Sequence, residues 1–525
     1  MAKSRIKAEY GDFQTPLWLA EQVCARLHKL GVEAATIIEP TCGEGNFLVA
    51  AARKFPQADR LVGIDINAKH LQVASAALRS KAPGEQATTI DLRNKDFFTL
   101  NGPTLFASLS APLLVLGNPP WVTNTTLATL NSANQPTKSN FQKRSGIEAI
   151  TGASNFDVSE WMILQLLEWT NPATTTLALL CKTAVARKVL HRCWQKGRML
   201  GECHISLINA PQAFGAAVDA CLLYIGPNSW GDSCQICSVY TTLESPTPTG
   251  QIAYRNNTLV ADVQKYERWQ HLTVDATHSQ VQPSWRSGIK HDCASVMELV
   301  KCEQGYQNKF GDIVQLESEL LFPLYKATDL TGNQGRRSNR WLIVTQSQVG
   351  SDTRMLRQQT PFIWQYLNKY SELLDNRQST IYRGQPRFAI FGVGDYSFTP
   401  WKIAISGLHK SLQFVTIGPI ENKPAVLDDT CYLLPCATQC EAELIAELLN
   451  SSIAREFFEA FIFWNDKRPV TAKLLRRLNI VRLAYELGRE HEYSALCSMY
   501  VNSLSKLRVE QLQLLEKRAD TLCSD

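Results

Sequence analysis

Short apolar runs alternate with amphipathic helical patterns through the first 225 residues, and this rhythm constrains the fold more than any other feature of the chain. The apolar runs predict strands at residues 35–40, 60–66, 113–118, 176–181, 203–209 and 219–226. The segments between them predict helices at residues 45–54, 68–80, 157–169 and 183–196. Such alternation is typical of a doubly wound, parallel α/β sheet, which binds its ligands at the carboxyl ends of the strands.

The remainder of the chain lacks this rhythm. Aromatic-rich runs at residues 387–393 and 401–407 predict strands, and residues 441–460 and 503–520 predict helices. A chain of 525 residues is also too long for one ordinary core. We therefore predict two domains, a Rossmann-like α/β domain at 1–280 and a mixed α/β domain at 281–525.

Composition excludes several classes of protein. Hydrophobic residues make up 45% and charged residues 20% of the chain, and no uninterrupted apolar stretch reaches the ~18 residues of a membrane span. The first residues, "MAKSRIKAEYGD", contain no apolar core of a secretory signal. The 15 cysteines are scattered singly, and the lone "CQIC" at 234–237 has no second ligand pair. We expect a cytoplasmic protein with reduced thiols and no bound metal.

A glycine-rich turn follows the first predicted strand, in "IIEPTCGEGNFL" at 37–48. Gly43 and Gly45 would let the backbone approach a ligand closely, and the next helix would present free N–H groups to it. The turn begins with the acid Glu39 and continues with Cys42 and Glu44. Negative charge disfavours the pyrophosphate of a dinucleotide but suits the sulfonium and ammonium groups of S-adenosylmethionine.

Further cofactor contacts are predicted at the ends of the next elements. Asp65 ends the strand of "VGIDIN", where a carboxylate can accept hydrogen bonds from both ribose hydroxyls. Asp96 and Phe97, in "NKDFF" at 94–98, could bond the adenine amine and pack against its ring. Thr15, in "YGDFQTP" at 10–16, lies in a turn before a helix.

The sequence "LGNPPWVTN" at 116–124 ends an apolar strand with two prolines. Each proline fixes φ and lacks an N–H, so the chain must leave the sheet in a rigid turn. This turn holds Asn118, Pro119, Pro120 and Trp121 at the tip of the strand. The polar segment from Thr125 to Phe156 begins directly after it, and a loop of such length inside a domain is usually functional or disordered.

In the order GDFQTP, EPTCGEGNF, GIDIN, NKDFF and NPPW, the chain resembles the S-adenosylmethionine-dependent DNA methyltransferases that modify the exocyclic N6 of adenine. The cofactor motif precedes the catalytic motif and a recognition region follows, which is the gamma arrangement of motifs. The resemblance covers residues 10–225 well. In the second half, "WRSGIKHD" at 285–292 is similar to the opening of the family's recognition domains.

The resemblance implies a catalytic role for the Asn-Pro-Pro turn. Adenine's amino nitrogen is a poor nucleophile because its lone pair is delocalised into the ring. Acceptors on its two N–H bonds, the side-chain oxygen of Asn118 and the backbone carbonyl of Pro119, would turn the lone pair toward the methyl group. The target base must also leave the duplex. Trp121 of the turn is expected to stack on the flipped base. The second aromatic face is expected from Phe214, in "NAPQAFGAAVDACLLYI" at 209–225.

The net charge of +5 is too small to indicate nucleic-acid binding by itself, so only local clusters of positive charge are informative. Basic clusters occur in "GRRSNRW" at 335–341, "YRGQPR" at 382–387 and "KRPVTAKLLRR" at 467–477, and the first two include the aromatic residues Trp341 and Tyr382. Three further cations lie in the polar segment at 125–156. The predicted DNA contacts are Lys138, Lys143, Arg144, Arg336, Arg337, Arg383, Arg387, Lys467, Arg468, Arg476 and Arg477.

We predict a site-specific methyltransferase of bacterial or archaeal type that acts on double-stranded DNA. The resemblance implies that it is part of a restriction-modification or related DNA-defence system, in which a separate cognate endonuclease would be its partner. Methyltransferases of protein glutamine amides carry a similar Asn-Pro-Pro-aromatic turn, but they need only a small partner-binding domain. RNA adenine and N4 of cytosine stay open as targets, although the cytosine enzymes usually have Ser first. A DNA- or partner-binding protein without activity is disfavoured because Asn118 and Asp65 are both present.

Overall fold

The computed structural model describes residues 14–79, 88–122, 157–228, 235–274, 284–330 and 339–496. The chain divides into two compact units, Met1–Val263 and Gln264–Asp525, a division that falls somewhat before the predicted position of 280. The six strands and four helices predicted in the first 225 residues are all present, each within one residue of its predicted ends. The hydrophobic rhythm therefore predicted these ten elements closely, but it did not predict the three strands between residues 236 and 260.

The described elements of the first unit alternate between helix and strand up to residue 225, and three further strands follow between residues 236 and 260. The strands are β1 (Thr36–Glu39), β2 (Arg60–Asp65), β3 (Thr89–Asn94), β4 (Leu113–Gly117), β5 (Thr175–Lys182), β6 (Cys203–Ile208), β7 (Ala220–Ile225), β8 (Ile236–Tyr240), β9 (Gly250–Arg255) and β10 (Thr258–Val260). The helices are α1 (Leu17–Lys29), α2 (Asn46–Lys54), α3 (Ala68–Arg79), α4 (Gly102–Ala107), α5 (Val158–Trp169), α6 (Thr183–Gln195) and α7 (Ala210–Phe214).

These strands form one sheet in the order β10-β9-β8-β6-β7-β5-β4-β1-β2-β3. The strands from β3 to β5 run parallel, but β7 is antiparallel to both β5 and β6. The sheet is therefore mixed rather than wholly parallel. Only residues 209–219 connect β6 to β7, which is shorter than a usual crossover, so the chain returns beside β6 in the opposite direction.

Burial explains why the central strands read as continuous apolar runs. Every residue of β1, β4 and β7 is buried, as expected for strands with both faces covered. The core includes Leu19, Val23 and Leu27, which repeat at helical spacing along α1. The central strands are thereby held in place, and their carboxyl ends meet at one edge of the sheet.

The second unit contains two smaller sheets with short helices. One sheet has the order β14-β13-β12-β16-β15-β19, and the other has the order β11-β20-β17-β18. The strands are β11 (Arg286–Ser287), β12 (Glu298–Cys302), β13 (Gly305–Gln307), β14 (Ile313–Val314), β15 (Leu321–Tyr325), β16 (Arg340–Ile343), β17 (Trp401–Ser406), β18 (Val415–Ile417), β19 (Val426–Leu427) and β20 (Cys431–Cys436). The helices are α8 (Val263–Trp269, beginning at the division), α9 (Ala294–Met297), α10 (Leu356–Gln359), α11 (Pro361–Lys369), α12 (Ser371–Asp375), α13 (Gln439–Leu449), α14 (Ser452–Glu459), α15 (Ala472–Leu475) and α16 (Ile480–Glu486).

Predictions for the second unit were less accurate. The strand at 401–407 is confirmed as β17, but residues 387–393 do not form a strand. Phe388 has φ +64°, a left-handed conformation that breaks strand geometry, and Phe391 alone of this run makes a bridge, to Lys290. The helix predicted at 441–460 is divided into α13 and α14, because Ser451 caps a new helix start. Residues 503–520 lie outside the described residues.

Two expectations from composition can be compared with the described residues. Their cysteines are free thiols, and those other than Cys302 and Cys440 are buried. Cys237 is buried in β8, whereas Cys234 lies outside the described part of the chain. Across the described ranges, no helix combines the length and apolar character needed to cross a bilayer.

Candidate active site

A cavity of about 460 Å³ opens where the carboxyl ends of β1, β2, β3 and β4 meet. Its volume is within the range of small-molecule and cofactor sites. Most of the predicted cofactor contacts border it, and so do two residues of the Asn-Pro-Pro turn. These bordering residues are Thr15, Glu39, Cys42, Gly43, Asp65, Asp96, Phe97, Asn118 and Pro120.

The glycine turn after β1 is fixed by hydrogen bonds from its own backbone. The Gly43 N–H donates to Oδ2 of Asp65 at 2.8 Å, and the Glu44 N–H donates to Oε1 of Gln14 at 3.0 Å. Gly43 has φ +49°, and a Cβ at this position would lie 2.3 Å from the Gln14 oxygen. Glycine is therefore favoured here by its conformation, and any larger residue would also displace the end of the Gln14 side chain.

Gly45, also predicted as a cofactor contact, does not border the cavity. It precedes α2 with φ +82°, and a Cβ on it would lie 2.8 Å from the Cβ of Ala74 in α3. The structure thus gives Gly45 a different reason to be glycine: it allows the start of α2 to approach α3.

Asp65 is held by backbone groups on both of its carboxylate oxygens. Besides the Gly43 bond to Oδ2, Oδ1 accepts a hydrogen bond from the Asn67 N–H at 2.7 Å, and Nδ1 of His70 lies 3.7 Å from it. An ionised carboxylate can accept about four hydrogen bonds. Asp65 therefore keeps acceptor capacity for hydroxyl groups in the cavity while its orientation is fixed.

Glu39 is a buried acid at the end of β1, with an exposed fraction of 3%. Burial raises the pKa of its carboxyl well above the usual range, and the neighbouring Asp65 carboxylate raises it further. Among the described residues, no donor bonds its Oε2. A positively charged group in the cavity would favour the ionised form of Glu39 and gain a counter-ion.

An aromatic cluster forms the side of the cavity that follows β3. Asp96 accepts a hydrogen bond from the Phe98 N–H at 2.9 Å, which starts the short 3₁₀ turn at Phe97–Thr99. Phe97 packs on Trp161 and Trp169, both in α5, with ring centroids 6.0 and 5.1 Å away. The cluster holds Phe97 and Phe98 against the cavity wall.

Sequence reasoning missed several residues that border the cavity. They are Gln14, Pro40, Thr41, Asn46, Phe47, Ile66, Asn67, Ala68, His70, Lys95, Phe98 and Met162. Most of them adjoin a predicted contact along the chain, so proximity in sequence was an available signal. Met162 is different, because it comes from α5 and reaches the cavity only through the tertiary fold.

The Asn-Pro-Pro turn begins where β4 ends at Gly117. Asn118 and Pro120 border the cavity, whereas Pro119 is buried and does not. Trp121 is 8% exposed and belongs to the hydrophobic core, and its Nε1–H donates to the Leu180 carbonyl at 3.4 Å. The turn therefore presents an amide to the cavity and directs its indole away, toward β5.

The two aromatic residues predicted to stack on a target base contact each other directly. Trp121 and Phe214 have ring centroids 5.0 Å apart and an interplanar angle of 74°, an edge-to-face pair. This arrangement leaves no room for a base between the two rings. Stacking on both faces would require Phe214, which is half-buried, to move.

Five of the predicted DNA contacts lie outside the described residues: Lys138, Lys143, Arg144, Arg336 and Arg337. The others are in the second unit. Arg383 and Lys467 are exposed. Arg387 is ion-paired with Asp375 at 3.0 Å, and Arg468 lies 3.7 Å from an Asp429 oxygen.

Arg476 and Arg477 support the packing of the second unit. The Arg476 guanidinium donates to the Trp285 carbonyl at 2.6 and 3.1 Å. The Arg477 guanidinium lies over the Phe461 ring, 4.9 Å from its centroid, and burial lowers its pKa. These contacts make both arginines poorer candidates for phosphate binding than their charge alone suggested.

The side chains that border the cavity are chemically suited to S-adenosylmethionine. Glu39 supplies a buried carboxylate suited to a cation, Asp65 supplies acceptors suited to hydroxyl groups, and Phe97 supplies an apolar ring. The sheet order and the chemistry of this cavity are those expected of a Rossmann-like methyltransferase that uses S-adenosylmethionine.

Comparison with known proteins identifies the family. The sequence is 41% identical over 480 residues to Type II methyltransferase M.NspV of a Nostoc species, and the alignment covers 91% of this chain and 98% of that protein. The chain therefore belongs to the Type II methyltransferase family, and S-adenosylmethionine is its expected cofactor. No family model matches the sequence.

A solved structure is similar in fold. The Type IIL restriction-modification enzyme MmeI, determined in complex with DNA, superposes with a TM-score of 0.51 at 15% sequence identity. The similarity covers 90% of this chain and 66% of that chain. It therefore extends beyond the first unit and supports the same Rossmann-like fold.

Proposed function

We propose that the protein transfers a methyl group from S-adenosylmethionine to the exocyclic N6 of adenine in double-stranded DNA, at one specific sequence, within a restriction-modification system. One observation carries this proposal: Asn118 of the Asn-Pro-Pro turn borders the same cavity as the acids Glu39, Asp65 and Asp96. An acceptor for an amino group and a site for the cofactor thus share one space.

When bound, the cofactor supplies an electrophilic methyl group. The Oδ1 of Asn118 accepts a hydrogen bond from the target amine, and the Pro119 carbonyl is the proposed second acceptor. These bonds hold the amine with its lone pair directed into the cavity. An amide is suited to this task because it is neutral, and the two prolines keep it in a fixed position. The amine becomes acidic once it is methylated, so no strong base is required.

DNA is the proposed substrate because M.NspV is a Type II methyltransferase and MmeI was solved in complex with DNA. The target base lies inside the duplex, so it must be flipped out to reach Asn118. The second unit, with exposed Arg383 and Lys467, is proposed to bind the phosphate backbone and read the sequence. A separate endonuclease would cut the same sequence when it is unmethylated.

The first experiment measures the target. Genomic DNA from cells that express the protein is sequenced by a method that reports N6-methyladenine in its sequence context. We expect methylation at one recurring sequence and none in cells that express Asn118→Ala. Methyl transfer by the purified protein to RNA, to N4 of cytosine or to a glutamine-containing peptide in place of DNA adenine would overturn the proposal.

The second experiment separates catalysis from base binding. Asn118→Ala should lower the single-turnover rate by ~100-fold or more, with little change in cofactor or DNA affinity, because it removes one preorganised polar contact. Asn101→Ala is the matched control: Asn101 caps α4 through a bond to the Thr104 N–H and does not border the cavity.

Base binding is followed with 2-aminopurine at the target position of the duplex. The Asn118→Ala variant should still increase its fluorescence on binding, because the base is still flipped out. Phe214→Ala should alter this signal and raise KM if Phe214 contacts the base. Trp121→Ala is a less informative test of base binding, because removing a buried indole also destabilises the core by about 3–5 kcal/mol. A near-normal rate for Asn118→Ala would leave the Asn-Pro-Pro turn without a catalytic role.

A further inference from the structure

Lys182 connects the catalytic turn to the start of α5. It is the last residue of β5, which continues three residues past Leu179, the partner of Gly117 at the end of β4. Its Nζ donates to the backbone carbonyl of Trp121 at 3.0 Å and to Oδ2 of Asp157 at 2.6 Å. One ammonium group thus bonds the end of the Asn-Pro-Pro turn and the residue that caps α5.

Asp157 is buried and caps the N-terminus of α5. Its Oδ1 accepts hydrogen bonds from the N–H and the hydroxyl of Ser159, and its side chain is 7% exposed. The next residue, Val158, donates its N–H to the Val122 carbonyl at 2.9 Å. The chain therefore returns to the point where it left, and Lys182 supplies the cation that balances the buried carboxylate there.

We propose that Lys182 is a positioning residue for methyl transfer: by bonding the Trp121 carbonyl and Asp157 together, it fixes the Asn-Pro-Pro turn and thereby the direction of the Asn118 amide. This inference rests on the proposed function of Asn118. Lys182 does not border the cavity, so it would act through the backbone of the turn.

The rigidity of the turn explains how an anchor at Trp121 reaches Asn118. Pro119 and Pro120 have fixed φ angles, so the position of the Trp121 carbonyl restricts the direction of the chain at Asn118. The Trp121 indole gives a second tie, to the Leu180 carbonyl of the same strand. A displacement of about 1 Å in a reacting group can reduce a rate ~100-fold, so losing one of these ties should be visible in the chemical step.

Removing the ammonium should have two local effects. The Trp121 carbonyl loses its charged donor, and Asp157 remains as a buried carboxylate without its counter-ion. Both effects loosen the contact between Val122 and Val158. The cofactor acids Glu39 and Asp65 lie on β1 and β2, outside this contact, so cofactor affinity should be almost unchanged.

The test compares Lys182→Met with Lys188→Met in the full-length protein. Lys188, in α6, pairs with the buried Glu160 of α5 at 3.8 Å, which makes it a matched lysine–carboxylate pair away from the turn. We expect Lys182→Met to lower the single-turnover methyl-transfer rate by about 10- to 100-fold, with S-adenosylmethionine affinity by calorimetry within about twofold of wild type. Lys188→Met should retain the wild-type rate, and Lys182→Arg should recover much of the loss because it keeps a charged donor.

Hydrogen exchange gives a readout that does not depend on turnover. The Val158 amide should exchange faster in Lys182→Met than in Lys188→Met. If Lys182→Met does not fold, Asp157→Asn tests the same contact, because asparagine keeps an acceptor for Ser159 and removes the charge that holds Lys182. We expect Asp157→Asn, like Lys182→Met, to lower the methyl-transfer rate and to speed the exchange of the Val158 amide.

Two results would overturn the inference. Equal rates for Lys182→Met and Lys188→Met would show that the contact does not influence methyl transfer. A parallel loss of rate, cofactor affinity and protection throughout the first unit, without recovery in Lys182→Arg, would show a role in stability alone. The wild-type assay reports separately on the proposed function, since a wild-type enzyme that does not methylate adenine refutes that proposal, while Val158 exchange still tests the Lys182 contact.

Discussion

Replacing Gly45 with alanine distinguishes packing from cofactor binding in the glycine turn. A Cβ at this position would lie 2.8 Å from the Cβ of Ala74 and 3.2 Å from its Cα, and the residue has φ +82°. Gly31, at φ +73°, has no atom within 4 Å of the same hypothetical Cβ. Gly31→Ala therefore measures the effect of the backbone conformation without a steric clash.

The two substitutions should differ by the energy of the clash. A left-handed conformation costs a non-glycine residue roughly 1–2 kcal/mol, and the lower entropy of the unfolded chain returns about 0.4–1 kcal/mol. Gly31→Ala should therefore reduce stability by about 1 kcal/mol. Gly45→Ala adds an overpacking term of about 1–3 kcal/mol, because α2 and α3 must move apart.

Hydrogen exchange of peptides from α2 and α3 suits this comparison, because a chain of two compact units need not unfold in one step. The variant Gly45→Ala/Ala74→Gly should recover part of the clash term, which would appear as non-additivity in a double-mutant cycle. S-adenosylmethionine affinity should change little in Gly45→Ala, since Gly45 does not border the cavity. Equal protection in Gly45→Ala and Gly31→Ala, together with weakened cofactor binding, would refute the packing explanation.

Three further predictions concern charged groups. Asp65→Ala should weaken S-adenosylmethionine binding by roughly 1.5–3 kcal/mol, the range for a hydrogen bond to a charged group, and calorimetry that finds no change would reject the ribose contact. Neutralising Lys467 and Arg468 together should reduce the slope of log affinity for DNA against log salt by roughly 2 in binding titrations, and an unchanged slope would remove them from the DNA interface. Because burial raises the pKa of Glu39 in the folded state, its contribution to stability is complete below the unfolded pKa of about 4.3 and is lost as the pH rises through the folded value. The Tm of the cofactor-free protein should accordingly fall less with rising pH in Glu39→Gln, and identical Tm profiles would contradict this role of Glu39.

The meeting of three predicted site residues at one cavity could be predicted because parallel strands bring their carboxyl ends to one edge. Glu39, Asp65 and Asn118 each follow or end a strand of apolar residues, so their meeting follows from the sheet alone. Met162 could not be placed in this way. Its approach depends on where α5 returns after residues 123–156, and local sequence does not contain that information.

The direction of the Trp121 side chain and the partners of the arginines could not be predicted from the sequence either. The sequence places Trp121 beside the turn, but the indole's preference for the core over the cavity depends on Leu180 and Phe214, which are distant in sequence. Arg476 and Arg477 look like free cations in a basic cluster, yet a backbone carbonyl and an aromatic ring occupy them. Counting charges along a chain cannot reveal such partners.

The hydrogen bond between the Val158 N–H and the Val122 carbonyl, 2.9 Å long, makes residues 123–156 an insertion in the topological sense. Its two flanking residues are bonded to each other, so the distance between the ends of the insertion is set by the turn after β4 and the start of α5. The number of residues between these ends can therefore change without moving Val122 away from Val158, while the cavity is built at the carboxyl ends of β1 to β4. For protein engineering, the same junction is a place to insert a foreign segment beside the candidate active site.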